Sequence, residues 1–311
     1  MSNSYTRRAY GCTIIKSINS NFNADFSHQP RTLPDGVVYA TDKALKYTVK
    51  NYLKNNYSGD KIFYFKTFND NMNPRTLDET YESLLEKYPE TKGKEKDNTL
   101  RLTVLGNLLK CLDIRLFGAT FAGKTNISIH GPLQITHGIN RFPKNDIYSE
   151  QIMSPFRNPG EEGKDEKGAA TLGSQSKLRE GHYVFHFSVN PQNIAEHVKR
   201  LNGSGTELST DDIAKAKEAL RRGATYYDSA SKAGSENELL LWVELKEKSK
   251  AVLPSFIDLV TVGEDGTIDL SGVTTLLNSE HIQDEVETVE LYFNPGTKLT
   301  GLPQNANTAN L

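Results

Sequence analysis

The alternation of apolar and polar residues along this chain predicts several β-strands. Tyr10–Ile18 is rich in β-branched residues and is followed by a long, polar, turn-rich loop. Similar patterns occupy the segments 113–121, 126–136, 181–191, 236–246 and 287–294. In 181–191 one face is apolar and the other carries His182, Val184, His186 and Ser188, which predicts a half-buried strand.

Apolar residues spaced three and four apart predict helices between these strands. The segment 43–55 combines an apolar face with a second stripe of lysines, and Thr41 or Asp42 can cap it. Residues 71–112 predict two helices with a charged break between them. The first opens with the spacing of a capping box, Thr76 and Glu79. Two more are predicted at 190–201 and, behind a Ser209 or Thr210 cap, at 211–223 with Gly223 as the stop.

The order of these elements predicts an α+β fold with a ferredoxin-like or RNA-recognition-like sheet, β-α-β-β-α-β, interrupted by two insertions. Residues 138–180 lack periodicity and are rich in Gly, Pro, Ser and charges, and 295–311 are expected to be a loose tail. The sequence predicts five divisions. Residues 1–55 hold the first strand and the lysine-bearing helix, 56–112 a helical insertion and 113–137 two strands of the sheet. Residues 138–180 form an irregular insertion, and 181–311 hold the rest of the sheet with its helices and the loose tail.

Composition places the chain among soluble globular proteins. Hydrophobic residues make up 36% of its 311 residues, and its mean hydropathy is −0.56. Because no apolar run is long enough for a transmembrane helix and the first residues lack a signal peptide's apolar core, we expect a cytoplasmic protein with no membrane partner. Cys12 and Cys111 are expected to be reduced and structural.

The distribution of charge changes the picture that the formal net charge of −2 suggests. Residues 1–60 hold eight Lys/Arg against four Asp/Glu, and 101–143 hold five against one, whereas 233–311 hold four against thirteen. Such asymmetry is typical of a protein that binds a polyanion with one face and stacks on copies of itself, although a solvated acidic tail explains it as well.

Two motifs suggest a nucleotide hydrolase or a metal site, but their sequence context favours ordinary structural roles. Residues 118–125, GATFAGKT, match the phosphate-binding loop of nucleotide hydrolases. That loop requires a helix after its lysine, and the alternating residues behind Lys124 predict a strand. His182 and His186 have no third ligand nearby in sequence, so we expect histidines on a polar sheet face. No catalytic residue, metal or cofactor is expected.

Longer motifs resemble one protein family. They are VYATDKALKYTVKNYL, DIRLFGATFAGKTNISIHGPLQITHGI, SPFRN, ATLGSQSKLREGHYVFHFSVNP and SKAGSENELLL, and the matches run from about Tyr10 to Leu245. These stretches resemble the backbone subunit of the type I CRISPR surveillance complex called Cascade, in its type I-B branch.

The resemblance implies a hand-shaped, non-catalytic subunit with a palm, helical fingers at 56–112 and a thumb at 138–180. Copies would polymerise along a CRISPR RNA and present it for pairing with target DNA. The implied partners are therefore CRISPR RNA, target DNA through the guide, other copies of the chain, and the large, small and crRNA-handle-binding Cascade subunits.

The resemblance also implies RNA-binding residues. Lys46 and Lys50 match the first-helix pattern Leu-Lys-x-x-x-Lys/Arg, and Lys43 lies nearby. The thumb tip matches at ATLGSQ, which makes Leu172 a wedge beside a displaced nucleotide and places Gln175 and Lys177 near phosphates. Further candidates are Arg31, Phe121 and Arg141, with Phe121 expected either to stack on a base or to lie in the core. Independently of the resemblance, Lys124 is a candidate phosphate contact because it is a cation in a loop.

Two rival functions remain open at this level. Backbone relatives in type III complexes cut target RNA with a loop aspartate, and Asp25 and Asp35 lie on the loop after the first strand. The alternative is therefore a metal-dependent endoribonuclease. A single-copy RNA-binding module is the third possibility, and it differs from the polymer in stoichiometry.

Overall fold

A computed structural model describes residues 4–89, 96–153, 172–201 and 207–311. The described residues form seven α-helices together with one nine-stranded sheet and two small sheets. The α+β class predicted from the sequence is therefore confirmed.

The helices are α1 (Asp42–Asn56), α2 (Leu77–Leu84), α3 (Lys96–Leu109), α4 (Leu112–Phe117), α5 (Gln192–Arg200), α6 (Thr210–Tyr226) and α7 (Ser271–Leu277). The strands are β1 (Ala9–Ser20), β2 (Tyr39–Ala40), β3 (Gly118–Ala122), β4 (Asn126–His130), β5 (Leu133–Ile135), β6 (Gly138–Asn140), β7 (Ile147–Met153), β8 (Leu172–Val189), β9 (Ser235–Leu245), β10 (Thr261–Val262), β11 (Ile268–Asp269), β12 (Val286–Phe293), β13 (Leu299–Thr300) and β14 (Ala306–Ala309).

The large sheet has the order β14-β12-β9-β1-β8-β6-β2, and β5 and β7 also pair with β8. The first strand, β1, lies in the middle and pairs antiparallel with both β8 and β9. Close packing requires a glycine in this strand, since a Cβ on Gly11 would lie 2.0 Å from the carbonyl oxygen of Leu241. Gly11 therefore allows β1 to lie close to the backbone of β9 at the centre of the sheet.

Helices α1 and α6 cover one face of this sheet. The apolar face predicted for α1 is confirmed, because Leu45, Val49 and Leu53 are buried in the same core as Trp242. Gly223 does not end α6 as predicted, since the helix continues to Tyr226. A Cβ at Gly223 would lie 3.0 Å from the carbonyl oxygen of Thr48, so the glycine allows α6 to approach α1 closely.

The opposite face of the sheet is covered as well, by residues between 253 and 282 that include Phe256 and Val273. The prediction that 181–191 is half-buried, with histidines on a polar face, was therefore wrong. His182 is fully buried, with Nδ1 2.6 Å from the Glu238 carboxylate, and His186 accepts the Phe256 N–H through Nδ1 at 3.3 Å. Burial lowers the pKa of His186 to about 4. This covered face offers no open sheet platform for RNA.

Three other segments differ from their predictions. Residues 112–117 form helix α4, and only 118–122 form the predicted strand. The segment 138–180 contains a regular ribbon in which β7 pairs with β8 from Ile147 opposite Leu178 to Met153 opposite Leu172. The tail is not loose, because β14 adds to the sheet edge in parallel with β12.

Candidate nucleic-acid interface

The start of helix α1 is fixed by two side chains. Thr41 Oγ1 accepts the Ala44 N–H at 3.3 Å, as an N-cap does. Asn23, in the loop after β1, accepts both the Thr41 N–H at 2.8 Å and its hydroxyl at 2.9 Å. The loop after the first strand therefore sets the position of the lysine-bearing helix.

A cleft of about 300 Å³ lies between α1 and the β3–β4 hairpin. Its lining includes three of the lysines predicted to contact RNA, namely Lys43, Lys46 and Lys50. Sequence reasoning did not single out His130 and Gln134, whose exposed side chains also line the cleft. Their alternation with buried residues could have indicated a polar row on this edge.

The two inner lysines are held by contacts at the floor of this cleft. Lys46 Nζ lies 3.0 Å from Asp42 Oδ2 and 5.6 Å from the centre of the Phe117 ring. Lys50 Nζ donates to the Tyr64 carbonyl oxygen at 2.7 Å, and burial lowers the pKa of Lys50. Because an ammonium has three donors, each lysine retains donors that no described residue accepts.

Asp113 fixes the wall of the cleft from inside. Its carboxylate is buried and accepts the N–H groups of Phe63 and Tyr64, each at 2.8 Å. Burial raises the pKa of Asp113, while these hydrogen bonds and the Lys50 charge oppose the rise. The arrangement holds the Tyr64 carbonyl where Lys50 can reach it.

Residues 123–125 form the turn of the β3–β4 hairpin. The strand predicted behind Lys124 is confirmed, so the GATFAGKT segment has no helix N-terminus to receive phosphates. Lys124 is exposed, with Nζ 3.9 Å from Glu82 and 5.0 Å from the centre of the Tyr88 ring.

Phe121 is a core residue. Its side chain is 1% exposed and packs edge-on against Phe63 at 5.9 Å and tilted against Tyr81 at 6.1 Å between ring centres. The ring contacts other core side chains and is closed to solvent. Of the two roles expected for Phe121, the core role is the one this structure shows, and the ring is not placed to stack on a base.

The loop after β1 holds its own shape through its charged residues. Asp25 Oδ1 accepts the N–H groups of Ser27 at 2.8 Å and Gln29 at 2.9 Å, and Asp35 Oδ1 accepts that of Val37 at 3.1 Å. Arg31 Nε donates to the Ala24 carbonyl oxygen at 3.2 Å. Within the described ranges, no group of three or more His, Cys, Asp or Glu side chains is placed to hold a metal ion.

The remaining predicted residues lie elsewhere. On the β7–β8 ribbon, Gln175 Nε2 donates to the Ala230 carbonyl oxygen at 3.3 Å, and Lys177 lies 2.9 Å from Glu150, which raises the pKa of Lys177. Leu172 pairs with Met153 at the end of the ribbon, and its side chain lies outside the described residues.

Arg141 joins the sheet to the region that covers it. Its Nε donates to the Val260 carbonyl oxygen at 3.2 Å, and its Nη1 lies 3.4 Å from Asp258. Among the predicted residues whose side chains are described, the structure therefore brings only the three α1 lysines together in one cleft.

Lysines clustered along one helix beside a cleft are typical of proteins that bind the backbone of a nucleic acid. A family comparison is more specific, because the model of the family CRISPR-associated protein Cas7 matches residues 7–277. The chain belongs to this family. A search of curated proteins finds no significant match. In the described parts of the chain, no helix is long and apolar enough to cross a membrane.

Two solved structures illustrate the likeness in fold. One chain, named "CRISPR RNA-guided surveillance complex, pre-nicking", is 11% identical, with a TM-score of 0.60 and coverage of 98% of this chain and 96% of that one. Another, named "CRISPR RNA-guided surveillance complex", is 13% identical, with a TM-score of 0.49 and coverage of 94% and 96%. At these identities the likeness of the first shows the shared fold.

Proposed function

We propose that this chain is the non-catalytic RNA-binding backbone subunit of a type I-B Cascade complex in the cytoplasm. Copies of it polymerise along a CRISPR RNA and present the guide for pairing with target DNA in antiviral defence. Its partners are the guide, further copies of itself, and the large, small and crRNA-handle-binding subunits.

The cleft beside α1 carries this proposal. Lys43, Lys46 and Lys50 lie on one side of it, and the polar side chains of His130 and Gln134 lie on the other. Lysines that neutralise phosphates give affinity that does not depend on sequence, as a guide of arbitrary sequence requires. Reading the target is then left to base pairing.

The architecture is compatible with a palm, fingers and thumb. We interpret the strand order β9-β1-β8-β6, backed by α1 and α6, as a ferredoxin-like palm. Residues 56–112 would be the fingers, and the β7–β8 ribbon the base of the thumb. Residues between 253 and 282 cover the face of the sheet opposite α1 and α6. RNA is therefore expected at the edge of the palm beside α1 rather than across the strands.

The aspartates of the rival endoribonuclease have a different local role in this proposal. Asp25 and Asp35 each accept backbone N–H groups within their own turns. That use of the carboxylates shapes the loop that positions α1, and it explains their presence without cleavage.

The test is the salt dependence of RNA binding by the variant with Lys46→Ala and Lys50→Ala. Each lost phosphate contact reduces the slope of log affinity against log salt by about 0.7 for single strands, so the double variant should be shallower by about 1.4. An unchanged slope would remove these lysines from the interface.

Controls separate charge from folding. Lys54 lies on the same helix outside the cleft, with Nζ 4.3 Å from the centre of the Phe65 ring, so Lys54→Ala should leave the slope unchanged. Lys50 also holds the Tyr64 carbonyl, and a second pair, Lys43→Ala with Lys46→Ala, avoids that structural contact. Thermal unfolding without RNA shows whether each variant is folded.

A further inference from the structure

The connection between α6 and β9 joins two parts of the proposed interface. The Ser231 carbonyl oxygen accepts the Asn21 N–H at 2.7 Å, which ties the connection to the loop after β1. The Ala230 carbonyl oxygen accepts from Gln175 at 3.3 Å, which ties it to the β7–β8 ribbon. Lys232 therefore lies at the junction between that loop and the ribbon.

The amine of Lys232 has an unusual environment for a cation. It donates to the Phe22 carbonyl oxygen and lies 4.6 Å from the centre of the Phe22 ring, which is itself fully buried. Burial lowers the pKa of Lys232 to about 8. No carboxylate among the residues with described positions pairs with it, and two of its three N–H donors have no acceptor there.

A desolvated amine without a counter-ion destabilises a fold, and an apolar side chain of the same length avoids that cost. A lysine at such a position is therefore explained if an anion that does not belong to the described residues pairs with its amine. Lys232 as a whole is half-buried rather than fully buried, so the residue is not sealed inside the described fold.

The surroundings favour a nucleic-acid phosphate as that anion. Phe22, whose carbonyl oxygen accepts from the amine, is followed directly by Asn23, which accepts from Thr41, the N-cap of the lysine-bearing helix. Gln175 contributes an amide from the ribbon on the other side. A single strand lying along both the cleft and the ribbon would meet Lys232 between them.

We propose that Lys232 is a further phosphate-binding residue, which receives one backbone phosphate of single-stranded RNA between the α1 cleft and the β7–β8 ribbon. This assignment rests on the proposed function. It makes two opposite predictions for Lys232→Met, which keeps the length of the side chain and removes its charge. The free protein should be as stable as the wild type or more so, while RNA binding weakens.

The experiment measures binding of a short, single-stranded RNA that accommodates one protomer, over a series of salt concentrations. Lys232→Met should lower affinity about tenfold or more and make the slope shallower by about 0.7. Lys232→Arg should restore the slope, because it keeps a cation. Lys298→Met is the matched control, since Lys298 is exposed and pairs with Asp265.

The outcomes are distinct. Wild-type binding with an unchanged slope for Lys232→Met would overturn the assignment and leave the α1 cleft in place. A fall in thermal stability with an unchanged slope would make Lys232 a structural brace, which also overturns it. If Lys232→Met binds short RNA with normal affinity but fails to assemble on long RNA, the anion that pairs with Lys232 would be a carboxylate of a neighbouring copy. That result would also overturn the assignment. No RNA binding by the wild type would overturn the proposed function together with this assignment.

Discussion

Replacing Phe121 by alanine separates a core role from base stacking. The ring is 1% exposed and contacts Phe63 and Tyr81, so Phe121→Ala leaves a cavity among aromatic side chains. Burial of this kind contributes about 3–5 kcal/mol, and we expect the free energy of unfolding to fall by about 4 kcal/mol. At roughly 2.1 cal/mol/K per residue, the unfolding entropy of this chain is about 0.65 kcal/mol/K, which converts the loss into about 6 °C in Tm.

The single tryptophan provides the assay. Trp242 is fully buried on β9 within the same core cluster, so its fluorescence reports unfolding in urea. Phe26→Ala is the matched control, because Phe26 is 98% exposed and its removal should change stability by less than about 0.5 kcal/mol. Unchanged unfolding of Phe121→Ala, together with a loss of about 1–3 kcal/mol in RNA binding, would refute the core assignment and favour stacking.

Two further predictions concern stability. Arg115 makes a bidentate contact with the buried carboxylate of Asp212, at 2.8 and 3.0 Å, so Arg115→Leu should cost about 3–5 kcal/mol in urea unfolding. Arg222→Leu, which removes an exposed pair with Glu218, should cost less than about 1 kcal/mol, and equal losses would contradict this difference. Because His186 has a pKa of about 4 in the fold against 6.5 unfolded, its contribution to stability is complete above pH 6.5 and decreases by about 3 kcal/mol as the pH falls towards 4. His186→Gln should lose this part of the pH dependence, and an identical pH profile would show that His186 is not its source.

Local sequence signals predicted the helices whose ends are fixed locally. The capping box of Thr76 and Glu79 is present, with the Glu79 N–H on Thr76 Oγ1 and the Thr76 N–H on the Glu79 carboxylate. Helix α4 was missed because six residues are too few to separate helical from alternating spacing. Its first turn contains Asp113, whose carboxylate accepts the N–H groups of the distant Phe63 and Tyr64, and that contact has no local signal in the sequence.

The site was predicted only in part for the same reason. The lysine stripe on α1 is a local pattern, so Lys46 and Lys50 could be selected from sequence. The other wall of the cleft comes from a hairpin about seventy residues later, and only the folded chain brings His130 next to these lysines. Likewise, the segment around Phe256 that buries His186 lies 70 residues later in the chain, so no local pattern near His186 predicts its burial.

The mass of complexes formed with single-stranded RNAs of increasing length tests the central claim most directly. The proposal predicts a mass that rises by one protomer for each fixed increment of RNA, because each copy covers one segment of the guide. A constant one-to-one complex at every length, or no binding at moderate salt, would contradict it.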